Sequence, residues 1–213
     1  MSPKHHPSED LISACAAGAL RPGAALVVRA HLLRCPACSR AAGVFESLGG
    51  ALLELEPAAE MAGDALERAL AAIERPAPRA ERTVRASPEA AALPPGLEGY
   101  SLGRRRWIAP GASVTRVRTD PSSRELVYLL RIAPGMGLPR HTHAGAEFTC
   151  VLQGSFADGS SRYGPGDFAC VDEAVEHSPV VERGAPCVCL ISTDAPLVMR
   201  DLAGRLLQPF AGV

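Results

Sequence analysis

Large rings are scarce in this sequence. Its 213 residues hold one Trp, three Tyr and five Phe, 4% in all. Whatever core forms must be packed with aliphatic side chains and alanine. Long apolar runs are missing too. Runs such as Ala24–Val28 fall far short of the roughly 18 residues that a membrane-spanning helix needs. Net charge is nearly absent, with 22 basic and 23 acidic side chains giving −1. No bulk basicity therefore draws the chain to nucleic acid or to an anionic membrane. The opening Met-Ser-Pro-Lys-His-His-Pro-Ser-Glu-Asp puts acids where a secretory signal would begin its apolar stretch, so the expected location is the cytoplasm. Seven cysteines, an odd number, do not suit a disulfide scaffold. What is present suffices for folding. Apolar residues at 47% can fill a core, and charged residues at 21% are too few for a wholly disordered chain. The length allows two modest domains.

The composition changes near residue 76. Of 36 alanines, 24 precede residue 96, whereas only one of the nine aromatics, Phe45, does. Residues 76–96 carry five prolines and few large apolar side chains, which reads as a Pro/Ala-rich linker. Residues 1–75 read as four helices. Ser8 is a candidate N-cap, with Glu9 and Asp10 in the first turn and Gly18 as the stop. A second helix is expected over 22–34, with Leu26, Val27, Ala30 and Leu33 apolar at helical spacing. A third is expected over 36–55, through Val44, Leu48, Leu52 and Leu55, and a fourth over 61–74. With one aromatic among them, these helices make a thin core that would benefit from a staple. Residues 97–213 switch to short strands, among them 126–132, 147–152, 167–171 and 187–191. Gly, Pro, Asp and Ser turns separate them, the pattern of a β-barrel or jelly roll. The fold class is thus multidomain, α followed by all-β.

His31-Leu-Leu-Arg-Cys35-Pro-Ala-Cys38 is the first constellation with chemistry in it. Residues four apart share a helix face, so His31 and Cys35 can meet one ion. Pro36 starts a new segment, which can bring Cys38 back to the same ion. Two thiolates and an imidazole suit tetrahedral zinc, and a closed site needs a fourth ligand. His5 and His6 are both available for it. Structural zinc supplies on the order of 10–16 kcal/mol to a small domain. Cys15 lies at core spacing and reads as a small buried hydrophobe.

The second constellation is Gly135-x5-His141-x-His143-x3-Glu147-x6-Gly154, followed at a distance by His177. His141, His143 and Glu147 have the same parity, so an extended chain sends them to one face, which in a barrel is the lumen. Three imidazoles and a carboxylate hold zinc, iron, manganese, copper or nickel. Arg131, Arg140 and Tyr163 are the candidates for a substrate clamp or base, and all three read as rim or surface residues. Cys187 and Cys189 share a strand face. They are either small wall residues or an oxidisable pair beside the metal, though neighbours on one face are poorly set for a disulfide. Cys150 and Cys170 read as packing.

These residues carry a resemblance. His31, Cys35 and Cys38 with an upstream His resemble the zinc-binding anti-sigma domain, and His6 is the upstream member chosen. The Gly135–Gly154 spacing matches the first cupin motif, with a weaker second motif running from Gly159 through Pro165 to His177. Both halves together resemble the ChrR family of anti-sigma factors, through His5-His6, Glu176-His177-x-Pro179, Cys187-x-Cys189-Leu and Thr193-Asp-Ala-Pro-Leu197 as well. The resemblance implies a zinc-stapled anti-sigma domain over 1–75 and a cupin over 97–213. It implies zinc on His6, His31, Cys35 and Cys38, and zinc or another divalent transition metal on His141, His143, Glu147 and His177. The implied partner is an extracytoplasmic-function sigma factor, released in response to singlet oxygen or related oxidants. Two readings from other classes stand beside it. One is a cupin dioxygenase or isomerase with a helical accessory domain, and the other is a structural zinc protein or chaperone.

Overall fold

Each of the first three helices starts where its capping chemistry dictates. In the computed structural model, which describes residues 2–74, 97, 99–119, 125–195 and 197–199, α1 (Glu9–Ala16) begins at Ser8. The Ser8 hydroxyl accepts the Leu11 N–H at 3.3 Å, and Glu9 and Asp10 sit at the positive helix end. Prolines open α2 (Pro22–Leu32) and α3 (Pro36–Leu55). The last helix, α4 (Ala65–Glu74), starts four residues later than its sequence pattern suggested. No described helix is long and apolar enough to cross a membrane.

The second half is an antiparallel cupin-type fold. Its large sheet is built from β1 (Ser101–Leu102), β2 (Arg106–Ala109), β3 (Ala112–Arg118), β4 (Leu126–Ile132), β6 (Glu147–Gln153), β9 (Phe168–Val171) and β11 (Cys187–Thr193). The order is β1-β3-β4-β11-β6-β9, with β2 on β3. Facing it are a pair, β5 (His141–His143) with β12 (Leu197–Met199), and a triplet. The triplet is β7 (Phe156–Asp158), β8 (Ser161–Tyr163) and β10 (Val180–Val181), in the order β10-β7-β8. Backbone bridges Gly137–Val180 and His141–His177 stitch the pair to the triplet. The linker expected over 76–96 lies outside the described residues.

The larger core of the helices is shared with the sheet. Leu26, Val27 and Val28 of α2 are buried in one cluster with Val127, Cys150, Leu152, Phe168 and Leu190 of the large sheet. A smaller cluster joins Ile12 to Cys35, Cys38 and Ala42. Val44, Leu48, Leu52 and Leu55 of α3, read as inward-facing, are exposed, and α4 has no buried residue. Leu48 and Leu52 share an open groove with Ser13, Ala14 and Ala17 at the end of α1, which leaves more than half of each side chain exposed. Leu33 is exposed as well, because it falls at the C-cap of α2 and points off the stripe.

The α2–sheet contact is close enough to dictate sequence. A Cβ on Gly23 would lie 2.5 Å from Ser192 Oγ and 2.6 Å from Val127 Cγ2. Glu125, at the start of β4, turns its carboxylate to the Gly23 and Ala24 N–H groups at 2.9 and 3.2 Å. The barrel therefore supplies the N-terminal cap that Arg21, with no capping side-chain bond, does not.

Candidate metal centres

The N-terminal cluster forms where α2 hands over to α3. His31 comes from the last turn of α2, Cys35 is the N-cap of α3, Cys38 lies in its first turn, and His6 arrives on the arm before α1. One ligand atom from each lies within 4.8 Å of all the others. His6 Nδ1 stands 3.4 Å from both sulfurs. His31 Nδ1 donates to the Gly166 carbonyl at 2.6 Å, which leaves its lone pair on Nε2. That Nε2 is buried and has no hydrogen-bond partner.

Electrostatics favour a cation here. Burial holds His31 below the ordinary histidine range. Burial, then the neighbouring Cys35, pushes the Cys38 thiol up to about 11. A dication reverses that balance, and the N-terminus of α3 assists it by favouring thiolate. Two soft sulfurs and two imidazoles fit zinc, and the orphaned His31 Nε2 is the observation that tests the fit. His5 turns away. Its Nε2 lies 3.1 Å from the Arg162 carbonyl oxygen and its ring lies against Tyr163. Cys15 packs in the α2 core, away from the cluster.

The barrel cluster is drier. His141 and His177 exchange both backbone hydrogen bonds at 3.1 Å. His141 Nδ1 donates to the Pro139 carbonyl at 2.7 Å and His177 Nδ1 to Asp158 Oδ2 at 2.7 Å. Both rings thereby use Nδ1 for an outer partner and leave Nε2 as the ligand atom, as metal-binding imidazoles require. His143 Nε2 lies 3.1 Å from His177 Nε2. The three histidines offer ligand atoms within 4.8 Å of one another. Glu147 stands beside this trio, its Oε2 3.5 Å from His143 Nδ1. Burial pushes its carboxyl up to about 7, although Thr149 and Tyr128 donate to it. Burial, then His141 and His177, pulls His143 down to about 4. His143 Nδ1 is also buried without a hydrogen bond. A buried carboxylate among neutral imidazoles is costly alone and favourable around a cation, so this donor set too fits a divalent metal.

The sequence treated His141, His143 and Glu147 as one extended run. The structure divides them between β5 and β6; all three are buried, and His141 and His143 converge with His177, whereas the Glu147 carboxylate reaches only His143 among them and stands outside that close set. A cavity of about 80 Å³ is lined by His141, Glu147, Asp158, His177, Cys187 and Cys189 among aliphatic and aromatic side chains. Cys187 and Cys189, on one face of their strand, are both free thiols with their sulfurs 3.6 Å apart. Cys150 is buried as expected, whereas Cys170 is exposed. Arg140, its side chain 70% exposed, pairs with Glu176, and Tyr163 stacks on Phe156.

Asp158, Tyr128, Asp167 and Glu125 carry no motif of their own; Asp158 and Asp167 stand in the turn sequences Asp158-Gly159 and Gly164-Pro-Gly-Asp167. A carboxylate two strands before a candidate His ligand was the available signal for Asp158.

Comparison with known proteins bears on both halves. A zinc-finger family model matches residues 8–39, and the ChrR Cupin-like domain matches residues 103–195. Over 210 residues the chain is 37% identical to the Anti-sigma-E factor ChrR of Cereibacter sphaeroides, covering 99% of each. The chain belongs to the ChrR family of anti-sigma factors. The crystal structure of Rhodobacter sphaeroides SigE in complex with the anti-sigma ChrR aligns at TM-score 0.73 and 33% identity, over 91% of this chain and 100% of that one. An RmlC-like cupin protein from Ralstonia eutropha aligns at TM-score 0.42 and 20% identity over 50% of this chain and 70% of that one, a likeness too slight to argue from.

Proposed function

We propose that this protein is a cytoplasmic anti-sigma factor that sequesters an extracytoplasmic-function sigma factor through its N-terminal helices. The observation that carries the reading is the uncovered apolar face of α3 and α4. Val44, Leu48, Leu52, Leu66, Leu70 and Ile73 all face solvent, Ile73 with 80% of its surface exposed. In α4, Leu66, Leu70 and Ile73 follow helical spacing, so one stripe awaits a partner. Fully burying such side chains is worth about 1.5–3 kcal/mol each, and stripes of this size mark interaction sites. The solved ChrR structure is a complex with SigE, which supports a sigma factor as the partner.

His6, His31, Cys35 and Cys38 hold structural zinc in this reading. His141, His143, Glu147 and His177 hold zinc or another divalent transition metal, through which the barrel senses singlet oxygen or a related oxidant and releases the sigma factor. The cavity beside the barrel cluster, about 80 Å³, argues against an enzyme for sizeable substrates, whose pockets run to roughly 300–1,000 Å³.

The test is retention of an extracytoplasmic-function sigma factor from the same organism, with metal counted in the same sample. Leu52→Glu and Leu66→Glu together should abolish retention without loss of metal. A doubly metallated protein that retains none of its organism's extracytoplasmic-function sigma factors would sink the proposal.

A further inference from the structure

Repression and sensing sit in different halves, so something must connect them. The N-terminal cluster is not wholly built by the N-terminal half. The hydrogen bond that orients His31 comes from Gly166, 135 residues away in the barrel. The arm that delivers His6 is held by the same turn. Asp167 Oδ1 accepts the Lys4 and His5 N–H groups at 2.5 and 2.9 Å, and the His5 carbonyl accepts the Phe168 N–H at 3.0 Å. Asp167 Oδ2 closes the turn on itself through the Gly164 N–H at 2.7 Å. Gly166 has φ +90°, and a Cβ there would lie 2.8 Å from Pro3 Cγ and 3.1 Å from Arg34 Cβ. The arm and the chain just beyond α2 thus close directly over the turn.

The same segment reaches the other cluster. Asp158, which holds His177 Nδ1 at 2.7 Å, is the last residue of β7. The Gly159-Ser160 turn leads from it into β8, and β8 runs straight into Gly164. On the way the Tyr163 ring packs against His5 and the Arg162 carbonyl meets the His5 ring.

We propose that the Gly164–Asp167 turn is part of the N-terminal metal site, with Gly166 and Asp167 as its positioning residues, and that the β7–β8 hairpin ties this turn to His177 of the barrel cluster. A change at His177 that frees Asp158 loosens the hairpin. The turn then withdraws the outer partner of His31 and the anchor of the His6 arm together. The proposal rests on reading both clusters as metal sites.

The test uses the full chain loaded with Co(II). Thiolate-to-cobalt absorption reports only the Cys35/Cys38 site, because the barrel set proposed here has no sulfur ligand. The measurement is the decay rate of that absorption in excess chelator. Asp167→Ala should speed the decay roughly 10–100-fold, the usual scale for losing an outer partner of a ligand. His5→Ala, which leaves the backbone contacts in place, should speed it about two- to tenfold. Asp158→Ala touches neither the arm nor the cysteines and should speed it too. Combined with Asp167→Ala it should add less than the product of the single effects, since both cut one strut.

Wild-type decay in both Asp167→Ala and His5→Ala overturns the proposal. Multiplicative Asp158 and Asp167 effects, or no effect of Asp158→Ala, overturn the hairpin route. If Asp167→Ala does not fold, Asp167→Asn and His5→Ala carry the same comparison. Absence of thiolate bands in the unaltered protein overturns the metal reading itself. Sigma-factor retention is scored separately. A protein that binds its sigma factor with decay unchanged in every variant loses this proposal and keeps the proposed function.

Discussion

The two clusters differ in what holds their ligands. In the barrel, His141 and His177 are bonded backbone to backbone, and their outer nitrogens face Pro139 and Asp158 of the same fold. Strand pairing would keep those residues near one another with or without an ion. In the N-terminal cluster, His6 is itself exposed on an arm without regular structure, and α1 meets α3 through the small cluster around Ile12, Cys35, Cys38 and Ala42. There the ion must supply much of the fold. Loss of the first metal should therefore dismantle structure, and loss of the second should change behaviour while the structure stands.

The largest expected effect follows from Cys38→Ser, which exchanges a thiolate for a poor ligand. About 10–16 kcal/mol of metal-linked stability is at stake, against the roughly 5–15 kcal/mol that a whole domain commands. The expected result is loss of one metal equivalent, a fall in helical circular dichroism, and a sigma factor active without signal. Cooperative melting and full repression in this variant would erase the distinction between the clusters.

The converse is the double change His141→Ala, Glu147→Ala. It also removes one metal equivalent, but helicity and sigma-factor retention should be unchanged. Reporter transcription under light and a photosensitiser should stay near the uninduced level. Normal induction in the metal-poor protein would move sensing elsewhere, with the Cys187–Cys189 pair in the cavity wall next in line.

Local features were the legible ones. Ser8, Pro22, Pro36 and Gly18 marked helix ends because capping depends on a few neighbouring residues, and α3 runs over 36–55 as its spacing suggested. The strand over 126–132 was found to the residue. His31, Cys35 and Cys38 are close in sequence, so helix geometry alone brought them together. What stayed hidden depends on contacts across the chain. The apolar pattern of α2 was visible, yet periodicity does not say whether the facing surface is a helix or a sheet. For the same reason Val44 and Leu48 were assigned to a core they do not enter. The carboxylates of Glu125, Asp158 and Asp167 act on backbone or ring nitrogens 19 to 163 residues away. No spacing rule reaches that far.

The shared α2 core gives the third prediction. Leu26 is 2% exposed and lies in the cluster that contains Val127 and Leu190. Leu26→Ala should cost about 2–5 kcal/mol and lower Tm by about 5–15 °C. Helical and sheet signals should fall together in one calorimetric transition, because the lost contacts belong to both halves. Two transitions, with the barrel's unmoved, would mean that the halves are energetically separate and that only the metal clusters matter to each.

The smallest effect separates the two ends of α2, both of which the barrel holds. At the N-terminal end Glu125 accepts from Gly23 and Ala24, and Ser192 donates to it at 3.3 Å. Glu125→Gln keeps the shape but sets an NH2 group against backbone donors and removes a negative charge from the positive helix end. About 1–2 kcal/mol of stability should be lost, as for other cap removals, measured by urea denaturation. The C-terminal end should be indifferent. His31 and Gly166 lie more than two helical turns away, and a cap effect fades within the first turn. Cobalt retention at Cys35 and Cys38 should thus match the unaltered protein, whereas Asp167→Asn should reverse the pattern, sparing most stability and quickening metal loss. If Glu125→Gln loosened the metal as much as Asp167→Asn does, α2 would be moving as a rigid rod. The barrel would then govern the N-terminal site through the whole helix rather than through the turn at its end.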